Sequence, residues 1–270
     1  MDNTNAFLFV GDSFTWGQGL YFYSDLSGQK YPPKGHYIDS EVNELHRKFK
    51  DSKRFARLVA SHFNTFEVVK ENNGGSDFES LEYIDNFFNK FLYNDVSTLI
   101  YQSTYFARSP FKFTFHDKIY SVDVDGYPNY RQDPDIDIFI SWCKENQLSF
   151  EDYTYLHRKQ IFDGIRDTFI TLDKEGINVK FICWTNDYLS FIKEDAFMGG
   201  RFIKINHKGE EYNSFFDLMF FNKELSIIND PYFDFSRGDG HLSLEAHKIV
   251  ANSIINSIEK DLIDKNKNLI

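Results

Sequence analysis

Four short apolar runs, separated by segments of helical periodicity, constrain the fold of this chain more than any other feature. Residues 6–10, 66–69, 97–102 and 179–184 are each of strand length and rich in β-branched or aromatic side chains, from Phe7, Leu8, Phe9 and Val10 in the first to Phe181, Ile182, Cys183 and Trp184 in the last. Between them, Phe55, Leu58, Val59 and Phe63 recur at helical spacing, as do Leu81, Ile84, Phe87, Phe88 and Phe91. A longer helix is expected over residues 155–174, ended by Gly176, and a last one from Ser243 carries Leu244, Ile249, Val250, Ile254, Ile255, Ile258 and Leu262 on its apolar side. Strands alternating with helices predict an α/β fold: a three-layer α/β/α sandwich on a central, mostly parallel sheet, with the ligand crevice beyond the carboxyl ends of the strands. Ser13, Gly75 and residues 102–104 fall at those ends.

At 270 residues, with 41% hydrophobic and 18% aromatic content, the chain can fill one large core. One domain over residues 1–270 is expected, with insertions at about 105–153 and 189–237 and a long polar and aromatic loop between the first strand and residue 52. The insertions are too aromatic for disorder; they either fold over the crevice and shape a substrate pocket, or pad the core edge or an oligomer contact. Lys and Arg total 30 against 41 Asp and Glu, a net charge of -11, which disfavours a phosphate-tracking surface and so a nucleic-acid partner. Cys143 and Cys183 read as free thiols, since they lack zinc-site spacing and are too sparse for a disulfide framework. No run approaches eighteen apolar residues and no basic leader precedes the first strand, so the expectation is a soluble, cytoplasmic protein without a membrane span.

A serine leaving a buried first strand can be aimed at a substrate, and Gly11, Asp12, Ser13, Phe14, Thr15, Trp16 and Gly17 follow directly on that strand. A serine hydroxyl attacks only when a base takes its proton, and the base works best when a carboxylate fixes its tautomer. Asp239 and His241, two apart just before the last helix, suit that task, because residues i and i+2 of an extended loop point the same way. His247 on the last helix is expected to be structural, and the remaining histidines show no common ligand spacing, so no metal is expected. No other cofactor is expected: residues 11–19 lack the Lys-Ser/Thr end of a P-loop and the Gly-x-Gly-x-x-Gly of a dinucleotide turn, and Gly-x-Ser-x-Gly is absent.

On these residues the framework of the chain, excluding the two insertions, resembles the SGNH, or GDSL, family of esterases, lipases and acetylhydrolases. Gly11, Asp12 and Ser13 with Gly17 are similar to the family's first block, which implies Ser13 as nucleophile and its N–H as one oxyanion donor. Gly75, within Asn73, Gly74, Gly75, Ser76 and Asp77, is similar to the second-block glycine and implies a second donor, with Gly74 as the alternative. Asp239 and His241 resemble the fifth block in its Asp-x-His spacing. The departure is the third block, where Gly-x-Asn-Asp is replaced by Gln102, Ser103, Thr104 and Tyr105. The family's asparagine supplies an oxyanion donor, and removing such a donor costs about 3–4 kcal/mol of transition-state stabilisation. Gln102 and Thr104 are the candidate replacements, with Arg108 close by and Asn186 and Asp187 as weaker ones.

The resemblance implies a flavodoxin-like sheet and hydrolysis of a carboxylic ester, an O-acetyl or other short acyl group, through an acyl-serine intermediate. The expected partner is a small-molecule or carbohydrate ester. A sugar O-acyltransferase using the same triad, or a binding or structural protein that keeps the fold without the activity, are the alternatives.

Overall fold

The computed structural model describes residues 5–17, 20, 23, 44–70, 75–90, 95–122, 135–229 and 240–267. In chain order the elements are β1 (Ala6–Val10), α1 (Ser13–Trp16), α2 (Glu44–Lys53), α3 (Phe55–His62), β2 (Phe66–Val69), α4 (Asp77–Lys90) and β3 (Val96–Ser103). There follow β4 (Phe111–Phe115), β5 (Lys118–Val122), α5 (Ile136–Glu145), α6 (Phe150–Lys174), β6 (Asn178–Cys183), α7 (Leu189–Glu194) and α8 (Ala196–Gly199). The last are β7 (Ile205–His207), β8 (Glu210–Tyr212), α9 (Phe215–Phe221) and α10 (Leu244–Lys267).

The four apolar runs form a central parallel sheet in the order β2-β1-β3-β6. Its register pairs Phe9 with Val69, Val10 with Tyr101 and Ser103 with Cys183, so the strands end near one another and their carboxyl ends share one rim. Alternation along the strands feeds two cores. Leu8, Val10, Leu99, Tyr101, Val179 and Phe181 pack with Ile84 and Phe88 of α4 and with Ile161, Ile165 and Phe169 of α6. Phe7, Phe9, Ile100 and Ile182 pack on the opposite face with Phe55 and Val59 of α3 and with Val250, Ile254 and Ile258 of α10. Helices therefore cover both faces, an arrangement compatible with a three-layer α/β/α fold.

Local signals set the boundaries. The long helix α6 begins five residues earlier than apolar spacing suggests, because Ser149 and Asp152 form a capping box: Asp152 N donates to Ser149 Oγ at 3.1 Å and Ser149 N to Asp152 Oδ2 at 2.9 Å. It ends in a Schellman turn, with Gly176 at φ 84°, Gly176 N donating to Asp173 O and Ile177 N to Leu172 O. The expected loop before residue 52 contains α2 instead. Its face is charged, with Glu44 and Lys48 paired at 2.6 Å, so good helix formers rather than an apolar stripe make it a helix.

The two insertions behave differently. The first contributes a hairpin, β4 paired antiparallel with β5, and α5; Phe111, Phe113, Val122 and Phe139 bury themselves against Tyr153 of α6 in a third, satellite core. The second runs beside the sheet: Phe181 N donates to Arg201 O, Ile203 N to Phe181 O, and Cys183 bridges Ser214 in parallel, so it covers the β6 edge. Among the described residues, no helix is long and apolar enough to cross a membrane.

Two buried histidines make the fold acid-sensitive. His157 meets Tyr153 Oη at 3.2 Å between Phe106 and Phe111, and burial, aided by Arg158, lowers its pKa to about 4. His247 accepts from Phe55 N at 3.2 Å and stacks on the Phe55 ring; burial, with His241 and Arg54 nearby, lowers its pKa to about 3. The unfolded chain protonates both imidazoles below about pH 6.5 and the folded one does not, so their contribution is present above that pH and lost as pH falls toward 4. At pH 5 each costs about 2 kcal/mol. His157→Gln and His247→Gln should each reduce, by about that amount, the drop in urea-unfolding free energy between pH 7 and pH 5.

Candidate functional site

The serine turn is assembled from the end of β1. Gly11 has no room for a side chain: a Cβ there would lie 2.4 Å from Thr15 Oγ1 and 2.7 Å from Gln102 Oε1. Asp12 caps the single turn of α1, its Oδ1 accepting from Phe14 N at 3.0 Å, and Gly17 closes the turn at φ 83°, donating its N–H to Ser13 O at 3.1 Å. Ser13 thus stands at the first helical position, above the rim of the sheet and 4% exposed.

Gln102, at the end of β3, clamps this turn from the neighbouring strand. Its Oε1 accepts from Thr15 Oγ1 at 2.9 Å and from Asp12 N at 3.3 Å, while its Nε2 donates to Ser103 O. The outer oxygen of Asp12 is paired with Arg108 Nη1 at 2.9 Å. Burial raises the Asp12 pKa, and Arg108, the Phe14 N–H, His241 and Gln102 pull against it.

His241 is placed by backbone pairing with residues 225–227. Ile227 N donates to His241 O at 2.9 Å, Ser243 N donates to Leu225 O at 2.8 Å, and Ser226 and Leu242 form an antiparallel bridge between them. Ser243 then caps α10, its hydroxyl accepting from Ala246 N at 3.2 Å. The imidazole lies on the Phe14 ring, centroids 4.8 Å apart, and its Nε2 is 2.7 Å from Ser13 Oγ. Two residues 228 positions apart are therefore in hydrogen-bond contact.

Of the other residues singled out from the sequence, Asp239 and Gly74 lie outside the described residues. Gly75 is buried just before α4, whose start is held by a second capping box: Glu79 N donates to Ser76 Oγ at 3.2 Å and Ser76 N to Glu79 Oε2 at 3.0 Å. Thr104 lies three residues beyond Tyr101, as Ser13 lies three beyond Val10, its register partner. It is fully buried; its N–H donates to Asp77 Oδ1 at 3.0 Å, and its hydroxyl has no hydrogen-bond partner. Gln102 differs, since its amide is engaged within the turn. Asn186 and Asp187 are also engaged, Asn186 with the Asp217 carboxylate at 2.9 Å to each oxygen and Asp187 with Thr185 and Arg158.

An aromatic wall borders the serine turn. Trp184, half-buried at the end of β6, lies 5.8 Å from the Phe14 ring and 6.0 Å from Tyr105, and the Arg108 guanidinium sits 5.7 Å from its ring centre. Its indole N–H is buried without a partner. A cavity of about 750 Å³ lies at the other end of the sheet, beside Asn5, Thr98 and Asn178. Among the described residues, no group of three or more His, Cys, Asp and Glu side chains could hold a metal ion.

Comparison with protein-family models, with curated proteins and with solved structures found no match.

The tight fit at Gly11 is directly testable. Gly11→Ala forces Thr15 and Gln102 apart and should cost about 1–3 kcal/mol of stability by urea unfolding. Gly240→Ala, where an added Cβ meets nothing within 4 Å, should be neutral or slightly stabilising in the same assay.

Proposed function

We propose that this chain is an SGNH-type serine esterase that cleaves a carboxylic ester through an acyl-serine intermediate. The observation that carries the reading is the 2.7 Å contact between Ser13 Oγ and His241 Nε2. It is the geometry a general base needs to take the hydroxyl proton as the oxygen attacks a carbonyl carbon. The strand order β2-β1-β3-β6 and the helices on both faces support a flavodoxin-like, three-layer form of the fold.

In this mechanism Ser13 Oγ attacks the ester carbonyl while His241 Nε2 accepts its proton. The negative oxygen of the tetrahedral intermediate is met by the N–H groups of Ser13 and Gly75. Thr104 supplies a third donor in place of the family's asparagine; its buried hydroxyl without a partner supports this role. As the intermediate collapses, His241 passes its proton to the leaving alcohol oxygen, and a water deprotonated by the same ring then hydrolyses the acyl-serine. Asp239, by its Asp-x-His spacing, orients the imidazole. Gln102 is assigned to the framework of the turn.

The substrate class is a small-molecule or carbohydrate ester with a short acyl group. Trp184 and Tyr105 beside the serine turn also favour a second reading, acyl transfer to a sugar hydroxyl held against the aromatic wall, and product analysis with and without a carbohydrate acceptor separates the two.

Native protein should react with a fluorophosphonate at Ser13, and Ser13→Ala should lower kcat on p-nitrophenyl acetate by about 10⁴-fold or more while leaving the unfolding transition unchanged. Folded protein that neither reacts nor turns over would identify a degenerate site.

A further inference from the structure

Asp77 opens α4 two residues after Gly75 and is completely buried. Three donors from three other parts of the chain converge on its carboxylate. Tyr101 Oη, from β3, donates to Oδ1 at 2.7 Å; Thr104 N, from the loop after β3, donates to Oδ1 at 3.0 Å; Tyr188 Oη, from the turn after β6, donates to Oδ2 at 2.8 Å. Both tyrosines are themselves fully buried.

Such an anion is expensive to keep away from water, and burial pushes the Asp77 pKa up to about 6 even with its three hydrogen bonds opposing the shift. Lys70, at the end of β2, faces the same region: its ammonium donates to Ser80 Oγ at 3.1 Å and interacts electrostatically with Glu79, Asp12 and Asp77. A helix start needs no such arrangement. The Ser76 and Glu79 capping box already serves α4, so the carboxylate is spent on neighbouring loops.

We propose that Asp77 is the positioning residue of the oxyanion side of the site, its carboxylate bonding the Gly75 loop to Thr104 and to the turn after β6 so that the donors form one rigid wall. This rests on the serine-esterase reading. Asp77 touches no reacting atom; it holds Thr104 by its N–H, which fixes where the Thr104 hydroxyl stands. A displacement of about 1 Å at such a donor is enough to lower a rate by about 100-fold.

The test compares Asp77→Ala, Asp77→Asn and a Tyr101→Phe/Tyr188→Phe double variant with wild type. Kinetic constants are measured on p-nitrophenyl acetate, the folded fraction by circular dichroism and the His241 titration by NMR. Asp77→Ala should lose about 100-fold in kcat with KM within about twofold and the His241 titration unmoved. Asp77→Asn keeps an acceptor for Thr104 N and Tyr101, and the Tyr188 hydroxyl can turn to accept from its amide, so it should stay within about threefold of wild type. The double tyrosine variant, which leaves the carboxylate bonded to Thr104 alone, should lose about tenfold in kcat and keeps the test informative if Asp77→Ala does not fold.

Activity of folded Asp77→Ala within about threefold of wild type overturns the proposal, as does an Asp77→Asn variant as impaired as Asp77→Ala. A loss that tracks the folded fraction, or that comes with a shifted His241 titration, assigns Asp77 a purely structural role and also overturns it. Failure of wild-type Ser13 to react with a fluorophosphonate is a separate outcome, which overturns the esterase reading and this proposal with it.

Discussion

The contact between Ser13 and His241 joins the two ends of the chain, but it is too weak to have brought them together. A single hydrogen bond contributes about 1 kcal/mol net, far less than the entropy of ordering the intervening chain. The pair meets because Phe14, one residue after the serine, and Leu242, one residue after the histidine, are buried in the same hydrophobic core with Phe215, Phe55 and Ala246. Burial of those neighbours places the polar groups between them. Backbone pairing then removes the remaining freedom, with β1 flanked on both sides by parallel partners and the histidine strand held by residues 225–227.

Several buried charges lie at the same rim. Asp12, Lys70 and Asp77 are buried, Arg108 is largely covered, and each has a partner that offsets its desolvation: Arg108 for Asp12, Ser80 for Lys70, two tyrosines and a backbone N–H for Asp77. Fixed charges and dipoles of this kind cost stability when the protein folds, and in return they need no rearrangement when charge develops on a substrate. The N-terminal end of the sheet carries a cavity of about 750 Å³ beside Asn5, Thr98 and Asn178, and Asp261 in its lining pairs with the buried Lys180 at 2.7 Å.

Much of this organisation is legible in the sequence, for reasons that differ from element to element. Three of the four sheet strands, β1, β3 and β6, are apolar runs buried on both faces, the half-buried edge strand β2 carries Phe66, Val68 and Val69, and the helices packed on the sheet repeat their apolar residues at the right period. The charged helix α2 has no apolar stripe to find, and the early start of α6 lies in a Ser-x-x-Asp capping box rather than the commoner Ser-x-x-Glu. At the site, Ser13 and His241 are legible because their neighbours form recognisable turns. The clamp by Gln102 is not, since its oxygen serves Thr15 and Asp12 from 87 and 90 residues away and only the folded sheet brings them together. Asp77 is hidden for another reason: an acidic residue at a helix start is ordinary, and nothing local distinguishes one that caps from one that holds other loops. The orienting carboxylate expected at Asp239 lies outside the described residues.

The long helix α6 serves two masters. Its early residues Tyr153 and His157 belong with the aromatic satellite of the first insertion, whereas Ile161, Phe162, Ile165, Phe169 and Leu172 belong to the main core. At 25 residues it is a rod of about 37 Å, with separate tenants at its two ends. The hairpin phenylalanines Phe111 and Phe113 therefore pack in a core separate from the one that holds Phe14 beside Ser13. At the short stretch through Phe106 and Arg108 the satellite and the serine turn share a wall, and Lys112 of the hairpin reaches the Phe78 ring on α4 at 4.9 Å. A change in the insertion can therefore reach the serine turn through these two joints.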